Sequence, residues 1–259
     1  MSRLEVKNLS KAFGGVQAID DFSFCVGERQ IVGIIGPNGA GKTTAFNLIT
    51  GVYPLDKGQV FLDDDEIGGL PQYKITQKGI ARTFQNIRLF KGLNVMENVM
   101  TAADPYSPYN LIDVFMYSGR KKKRENEIRA MSRSFLELVG LAGYEDERPE
   151  NLPYGLQRKL ELARALASKP KVLLLDEPAA GLNPSEVKDF IQLIRKVHDQ
   201  FALSVLVIEH RMEVIMTLCS NIYVLNFGKL LASGTPAEIQ NNREVTEAYI
   251  GEEDEECLL

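Results

Sequence analysis

Hydrophobic positions along the chain follow two different rhythms. Three stretches, QIVGII at 30–35, KVLLLD at 171–176 and LSVLVIE at 203–209, are dense in valine, isoleucine and leucine, with NIYVL at 221–225 a fourth β-rich run. The runs at 171–176 and 203–209 are continuous rather than alternating, the pattern of parallel strands covered on both faces. Between Asn183 and Gln200 the apolar residues Val187, Phe190, Ile191, Ile194 and Val197 recur at helical spacing, which predicts a strand, helix, strand unit. Shorter stretches at 3–9, 18–26 and 59–62 are bounded by polar or glycine-containing turns and read as an antiparallel layer. Residues 92–149 have few β-like runs; Pro/Tyr/Asn turns near DPYSPYN are followed by a long helical pattern, GRKKKRENEIRAMSRSFLELVGL. The expected fold class is α/β: a core with an antiparallel β layer and an inserted helical subdomain. The expected boundaries are 1–91 for the β layer and first core part, 92–160 for the helical subdomain, 161–250 for the rest of the core and 251–259 for an acidic tail, disordered from Glu252.

The densest chemistry lies in IIGPNGAGKTTAFNLIT, where an apolar run breaks into glycines, one lysine and two threonines before helical periodicity resumes. Phosphate groups need many donors converging at close range. Gly36, Gly39 and Gly41 let backbone N–H groups approach without Cβ interference, with Asn38 and Ala40 between them. Lys42 supplies a point charge for the outer phosphates, Thr43 a hydroxyl for magnesium, and a helix from about Gly41 to Ile49, stopped by Gly51, turns its positive end to the anion. Thr44 completes the loop. The spacing G-x-x-x-x-G-K-T stands after a strand and before a helix, as a phosphate-binding loop requires, so nucleoside triphosphate with Mg2+ is the expected ligand.

VLLLDEP places Asp176 and Glu177 at the end of a buried strand, and in open α/β sheets ligands sit outside the carboxyl ends of strands. Asp176 suits the magnesium shell, directly or through water, since that ion prefers hard oxygen ligands. Glu177 is then free to orient or deprotonate the attacking water. His210 ends the next strand and is placed to hold that water against the outer phosphate, whereas His198, on an amphipathic helix, reads as structural. Gln85, in ARTFQNIRLF, has a carboxamide able to ligate magnesium and to bond the lytic water. LPYGLQRKLELARAL, from Leu152 to Leu166, begins a second helix at a glycine-containing start: Leu156, Leu160, Ala163 and Ala167 mark its apolar face, and Tyr-Gly-Leu-Gln is an exposed opening.

Composition narrows the class without changing it. At 259 residues, 44% hydrophobic and 25% charged, the chain can bury a large core. No apolar run approaches the roughly 18 residues of a membrane helix. MSRLEVKNLSK lacks the apolar stretch of a secretory signal, so a cytoplasmic location is expected. Three cysteines, at 25, 219 and 257, lack C-x-x-C spacing and imply neither a disulfide framework nor a zinc site. A net charge of −5 offers no electrostatic case for bulk nucleic-acid binding. The cluster Arg120, Lys121, Lys122, Lys123, Arg124 reads as a solvated helix start, with anionic lipid head groups as its alternative partner.

Taken together, GPNGAGKT, Gln85, LPYGLQ, VLLLDEP, GLNP and His210 resemble, in that order and across the whole chain, the ATP-binding cassette family. The resemblance implies the P-loop ATPase core of that family. It makes LPYGLQ the signature (Pro153, Tyr154, Gly155, Leu156, Gln157), GLNP the D-loop (Gly181, Leu182, Asn183) and Phe13 the aromatic that stacks on adenine. It further implies a head-to-tail dimer with a second ATPase subunit, same or sister, in which one signature closes over the other chain's P-loop. The usual L-S-G-G-Q is here Leu152, Pro153, Tyr154, Gly155, Leu156, so the serine hydroxyl is missing, and backbone N–H groups and the helix dipole must supply more of the phosphate contact. Asn183 stands where aspartate is common. Within the family, ARTFQNIRLF, the Tyr-Gly pair, GLNP and EAYIGEE resemble the ATPases of bacterial branched-chain amino acid importers. Such an importer joins two ATPases on the inner face of the plasma membrane to two permease subunits, whose coupling helices rest near Gln85, and to a periplasmic binding protein. Lipopolysaccharide-export ATPases share part of the ending but keep an ordinary signature. DNA-repair relatives need long coiled coils and translation-associated ones usually two cassettes, neither present here; a non-hydrolysing nucleotide sensor is the remaining rival.

Overall fold

The computed structural model describes residues 2–103 and 119–256. The turns expected at 104–110 and Cys257 lie outside the described residues, as do the side chains of Arg120 and Lys121. Contacts divide the chain into two compact units, Met1–Gln85 with Lys171–Leu259, and Asn86–Pro170.

The first unit contains two sheets. In the six-stranded one the order is β10-β9-β3-β8-β7-β6. β3 (Ile31–Ile35), β7 (Val172–Asp176) and β8 (Ser204–Ile208) are buried at every position, because each presents branched apolar side chains to both faces. They run parallel to one another and to β9 (Asn221–Asn226) and β6 (Ile80–Arg82), so their carboxyl ends share one edge. β10 (Lys229–Gly234) returns antiparallel to β9. The second sheet is antiparallel, in the order β2-β1-β4-β5, formed by β1 (Ser2–Phe13), β2 (Val16–Gly27), β4 (Lys57–Leu62) and β5 (Asp65–Glu66). β1 and β2 reach beyond the 3–9 and 18–26 expected, pairing as far as Phe13 with Val16. Register shifts along that ladder interrupt the apolar alternation, which hid the strand ends. One apolar cluster joins Leu4, Phe22 and Phe24 of this layer to Val32, Leu174 and Leu206 of the larger sheet and to Phe46 and Ile49 of helix α1 (Lys42–Ile49).

Two of the further helices in this unit open on capping boxes, at Asn183 and Thr235. α6 (Pro184–Phe201) buries Val187, Phe190, Ile191, Ile194 and Val197 as the spacing predicts. The shorter α2 (Gln72–Lys78) and α7 (Met212–Leu218) lie between strands, and α8 (Pro236–Gln240) follows β10. The acidic tail departs from expectation: α9 (Arg243–Glu256) is helical past Glu252. Asn242 Oδ1 accepts from the amides of Glu244 at 2.9 Å and Val245 at 3.3 Å, and buried Val245 anchors the first turn. Once that turn is fixed, each added residue contributes another hydrogen bond, which carries the helix into polar sequence.

The second unit is helical: α3 (Val95–Ala103), α4 (Gly119–Leu138) and α5 (Tyr154–Ala167) pack on one another. Val99, Phe135, Leu136, Leu160 and Ala163 form its apolar interior. Asn98 is wholly buried there, accepting from Phe90 N at 2.8 Å and donating to the carbonyls of Phe90, Leu93 and Asn94. It thereby closes the turn leading into α3. Lys122, Lys123 and Arg124 are exposed on α4. No helix among the described residues is long and apolar enough to cross a membrane.

Candidate active site

The loop between β3 and α1 has the backbone its glycines permit. Gly36 has φ +151°, and a Cβ there would come within 2.0 Å of Leu225 O. Gly41 has φ +102°, with Ala18 O 2.5 Å from the same imaginary atom. No side chain caps α1, so its first amides point out of the helix as anion donors. Lys42 is nearly buried and folds back, Nζ donating to Gly36 O and Pro37 O at 2.7 Å each. The loop itself therefore aims the ammonium. Asn38, Gly39 and Thr43 are exposed and Thr44 is half-buried, while Ala40 is buried and its carbonyl accepts from Gly228 N at 3.0 Å. Phe13, at the end of β1, is 41% exposed and meets Tyr53 edge-on at 5.1 Å. Its strand end is pinned by Asp56, whose carboxylate takes Ala12 N at 2.9 Å and Lys11 Nζ at 2.6 Å. The Ala12 amide first, and the lysine second, hold that carboxyl below its ordinary pKa.

At the shared strand edge the structure brings three predicted residues together. Glu177 Oε2 accepts from Gln85 Nε2 at 2.8 Å and lies 3.8 Å from His210 Nδ1. Glu177 has φ +46°, and its amide donates to Ile208 O at 2.8 Å, so the chain turns sharply as it leaves β7 and aims the carboxylate across to the end of β8. Asp176 is buried. Its Oδ2 accepts from Arg82 Nη2 at 2.7 Å, while Oδ1 is buried with no hydrogen-bond partner. A buried carboxylate oxygen without a donor is chemically suited to a cation or to a water that the cation holds. Asp176 therefore fits the expected Mg2+, and Thr43 and Gln85 carry oxygen donors of the type that ion takes.

Two anchors were not seen in the sequence. Arg82 ends β6, a strand of three residues. Glu209 is wholly buried, its Oε1 accepting from Ala179 N at 2.8 Å and its Oε2 from the amides of His210 at 3.0 Å and Arg211 at 3.1 Å. It ties the turn after Glu177 to the turn that carries His210. A charge closing the apolar run LSVLVIE was the available signal. Leu182 is buried, Gly181 takes φ +75°, and Asn183 is committed to its own helix. Asn183 Oδ1 accepts from Ser185 N and Glu186 N at 3.0 Å, and Glu186 Oε2 accepts in turn from Asn183 N at 2.9 Å.

The predicted signature belongs to the helical unit. Pro153 is the N-cap of α5, and no side chain caps the helix. The amides of Leu156 and Gln157 turn back on Pro153 O at 2.9 and 3.1 Å, which leaves those of Tyr154 and Gly155 at the open end. The opening is less exposed than the sequence suggested. Tyr154 is 42% exposed, but Gly155 is buried and Gln157 is held by its Nε2 donating to Leu152 O at 2.9 Å. The cause is local: Arg158 Nη2 donates to the Tyr154 hydroxyl at 3.0 Å and its guanidinium lies over the ring, drawing the first turn closed.

A family model described as ABC transporter matches residues 19–180, and one described as branched-chain amino acid ATP-binding cassette transporter matches residues 229–255. The high-affinity branched-chain amino acid transport ATP-binding protein BraF of Pseudomonas aeruginosa is 43% identical over 254 residues, covering 97% of this chain and 100% of that protein. The lipopolysaccharide export system ATP-binding protein LptB of Escherichia coli is 35% identical over 253 residues, covering 98% and 99%. Among solved structures, MJ1267, an ATP-binding cassette of an ABC transporter in its ADP conformation, superposes with a TM-score of 0.84 at 30% identity, covering 97% of this chain and 99% of that one. The chain therefore belongs to the ABC transporter family of ATP-binding cassettes.

Proposed function

We propose that this chain is the ATP-hydrolysing subunit of an importer for branched-chain amino acids. The observation that carries the hydrolytic part is the convergence of Gln85 and His210 on Glu177, beside a buried Asp176 with one oxygen to give. The importer part is supported by the match at residues 229–255 and by the closer likeness to BraF than to LptB.

Adenine stacks on Phe13, and the phosphates lie in the cradle of Gly36, Asn38, Gly39, Ala40 and Gly41, against Lys42, Thr43 and Thr44. Thr43, Gln85 and Asp176 would hold Mg2+, which when bound neutralises phosphate charge and orients the outer phosphoryl group. Glu177 takes the proton of the attacking water, Gln85 orients that carboxylate, and His210 holds the water toward the outer phosphate. A second cassette, same or sister, contributes its Pro153 to Gln157 segment in trans and its Gly181, Leu182 and Asn183 turn. The pair sits on the cytoplasmic side beneath two permease subunits, which receive solute from a periplasmic binding protein; no nucleic acid takes part.

The test is reconstitution. The chain, copurified with its native permeases and set in proteoliposomes with ATP at the cassette side, should take up labelled leucine when the binding protein is supplied. Glu177→Gln should lower ATP turnover roughly 100- to 10,000-fold while leaving ATP binding intact. Copurification with lipopolysaccharide-extracting subunits, and no leucine uptake, would overturn the import reading; unchanged turnover in Glu177→Gln would remove Glu177 from its role.

A further inference from the structure

Arg82 lies at a junction of three elements that the reaction uses. It ends β6, and its side chain is 6% exposed. Nη2 donates to Asp176 Oδ2 at 2.7 Å; Nη1 donates to Asn47 Oδ1 at 2.8 Å and Thr50 Oγ1 at 3.2 Å. The guanidinium carbon stands 5.4 Å from the Phe46 ring centre and 4.9 Å from that of Phe84. Asn47 is on α1, the helix that begins with Lys42 and Thr43, and Thr50 is the cap that closes it. One planar cation therefore joins the phosphate-loop helix to the carboxylate at the end of β7.

A buried ion pair is a poor device for stability alone. Desolvating two charges costs several kcal/mol each, and well-packed apolar replacements are often as stable. Here Arg82 Nε is itself buried with no hydrogen-bond partner, an added cost. What the pair supplies is geometry. A guanidinium packed beside two rings and donating to two acceptors, one on α1 and one at its C-cap, is fixed in place, and so is the oxygen it holds. Asp176 has two oxygens; Arg82 takes Oδ2, and Oδ1 is the one left buried and bare.

We propose that Arg82 is a positioning residue for the metal: it holds Asp176 by one oxygen so that the other is presented to Mg2+, in register with Thr43 on the helix it also grips. The proposal rests on the reading of Asp176 as part of the magnesium shell. Partners that orient a metal ligand from behind are typically worth 10- to 100-fold in metal affinity or activity.

Arg82→Lys separates geometry from charge, because it leaves a cation beside Asp176 and removes the fork that reaches α1. Mn2+ binding can be followed by electron paramagnetic resonance in the presence of a saturating non-hydrolysable ATP analogue, with analogue affinity measured separately in EDTA. The half-saturating Mn2+ concentration should rise about 10-fold in Arg82→Lys. It should rise in the same direction in Asn47→Ala, which loosens the clamp without touching the ion pair and remains informative where the lysine variant fails to fold. Metal-free analogue affinity should stay within about twofold of the parent. Parental half-saturation in both variants would overturn the proposal, and so would an equal loss of metal-free nucleotide binding, which would mark general damage. A parent chain that binds no Mn2+ with the analogue would instead refute the metal reading of Asp176, and this inference would fall with it.

Discussion

Glu177 combines a reactive carboxylate with a backbone that L residues avoid, φ +46°. That conformation costs of order 1–2 kcal/mol, relieved only by removing Cβ. Glu177→Gly and Glu177→Ala both lose the contacts to Gln85 and His210, so their difference reports the backbone alone. The glycine variant should be the more stable by about 1 kcal/mol in urea denaturation, the reverse of the usual ranking; an alanine variant equal or superior would show that the turn is unstrained. Glu209 makes the opposite case, since its carboxylate satisfies three backbone amides. Glu209→Ala leaves those donors buried and should destabilise the chain by about 3 kcal/mol or more, with Glu209→Gln intermediate, measured the same way. At this scale the sequence was informative wherever chemistry needs neighbours in the chain. Lys42, Thr43, Asp176 and Glu177 announce themselves by adjacency. Glu209 and Arg82 act on residues 30 and 94 positions away, and no local pattern encodes such partners.

Among the elements, length decided what could be read. Five apolar residues at helical spacing made α6 unmistakable, and β7 and β8 stood out as continuous apolar runs. β5 and β6, of two and three residues, and α2, of seven, carry too few residues to show any period; they exist because the neighbouring strands and turns accept them. α6 also shows how a residue of the proposed D-loop serves locally. Asn183 makes a complete capping box with Glu186, satisfying two of the helix's first amides. Asn183→Ala should therefore cost about 1 kcal/mol of stability, and Asn183→Asp, which caps as well and adds charge favourable to the helix dipole, should cost nothing measurable. Calorimetric unfolding of both variants would check this; equal destabilisation would mean that the carboxamide nitrogen, and not the capping oxygen, is what matters at this position.

For the whole molecule, the α/β class and the presence of a helical unit were legible because period and composition change along the chain, while the unit's limits, Asn86 and Pro170, were not, because they fall inside continuous motifs. With that division, one chain carries two helix starts that no side chain caps, the glycine loop before α1 and the start of α5, where the amides of Tyr154 and Gly155 remain at the open end. A triphosphate bears enough negative charge to be shared by both kinds of start, and in the proposed head-to-tail pair the two belong to different chains. Two nucleotides are then buried per pair, so association should depend steeply on ATP concentration, with a Hill coefficient approaching about 2. Hydrolysis removes the outer phosphate that bridges the chains, so a stable pair needs Glu177→Gln. With ATP and Mg2+ that variant should double its mass in light scattering from 28.9 kDa, alone or when mixed with a sister cassette, and EDTA should return it to single chains. If neither the variant alone nor its mixture with a sister cassette and the permeases ever draws two cassettes together, the opening of α5 has no nucleotide to close on and the motor reading fails.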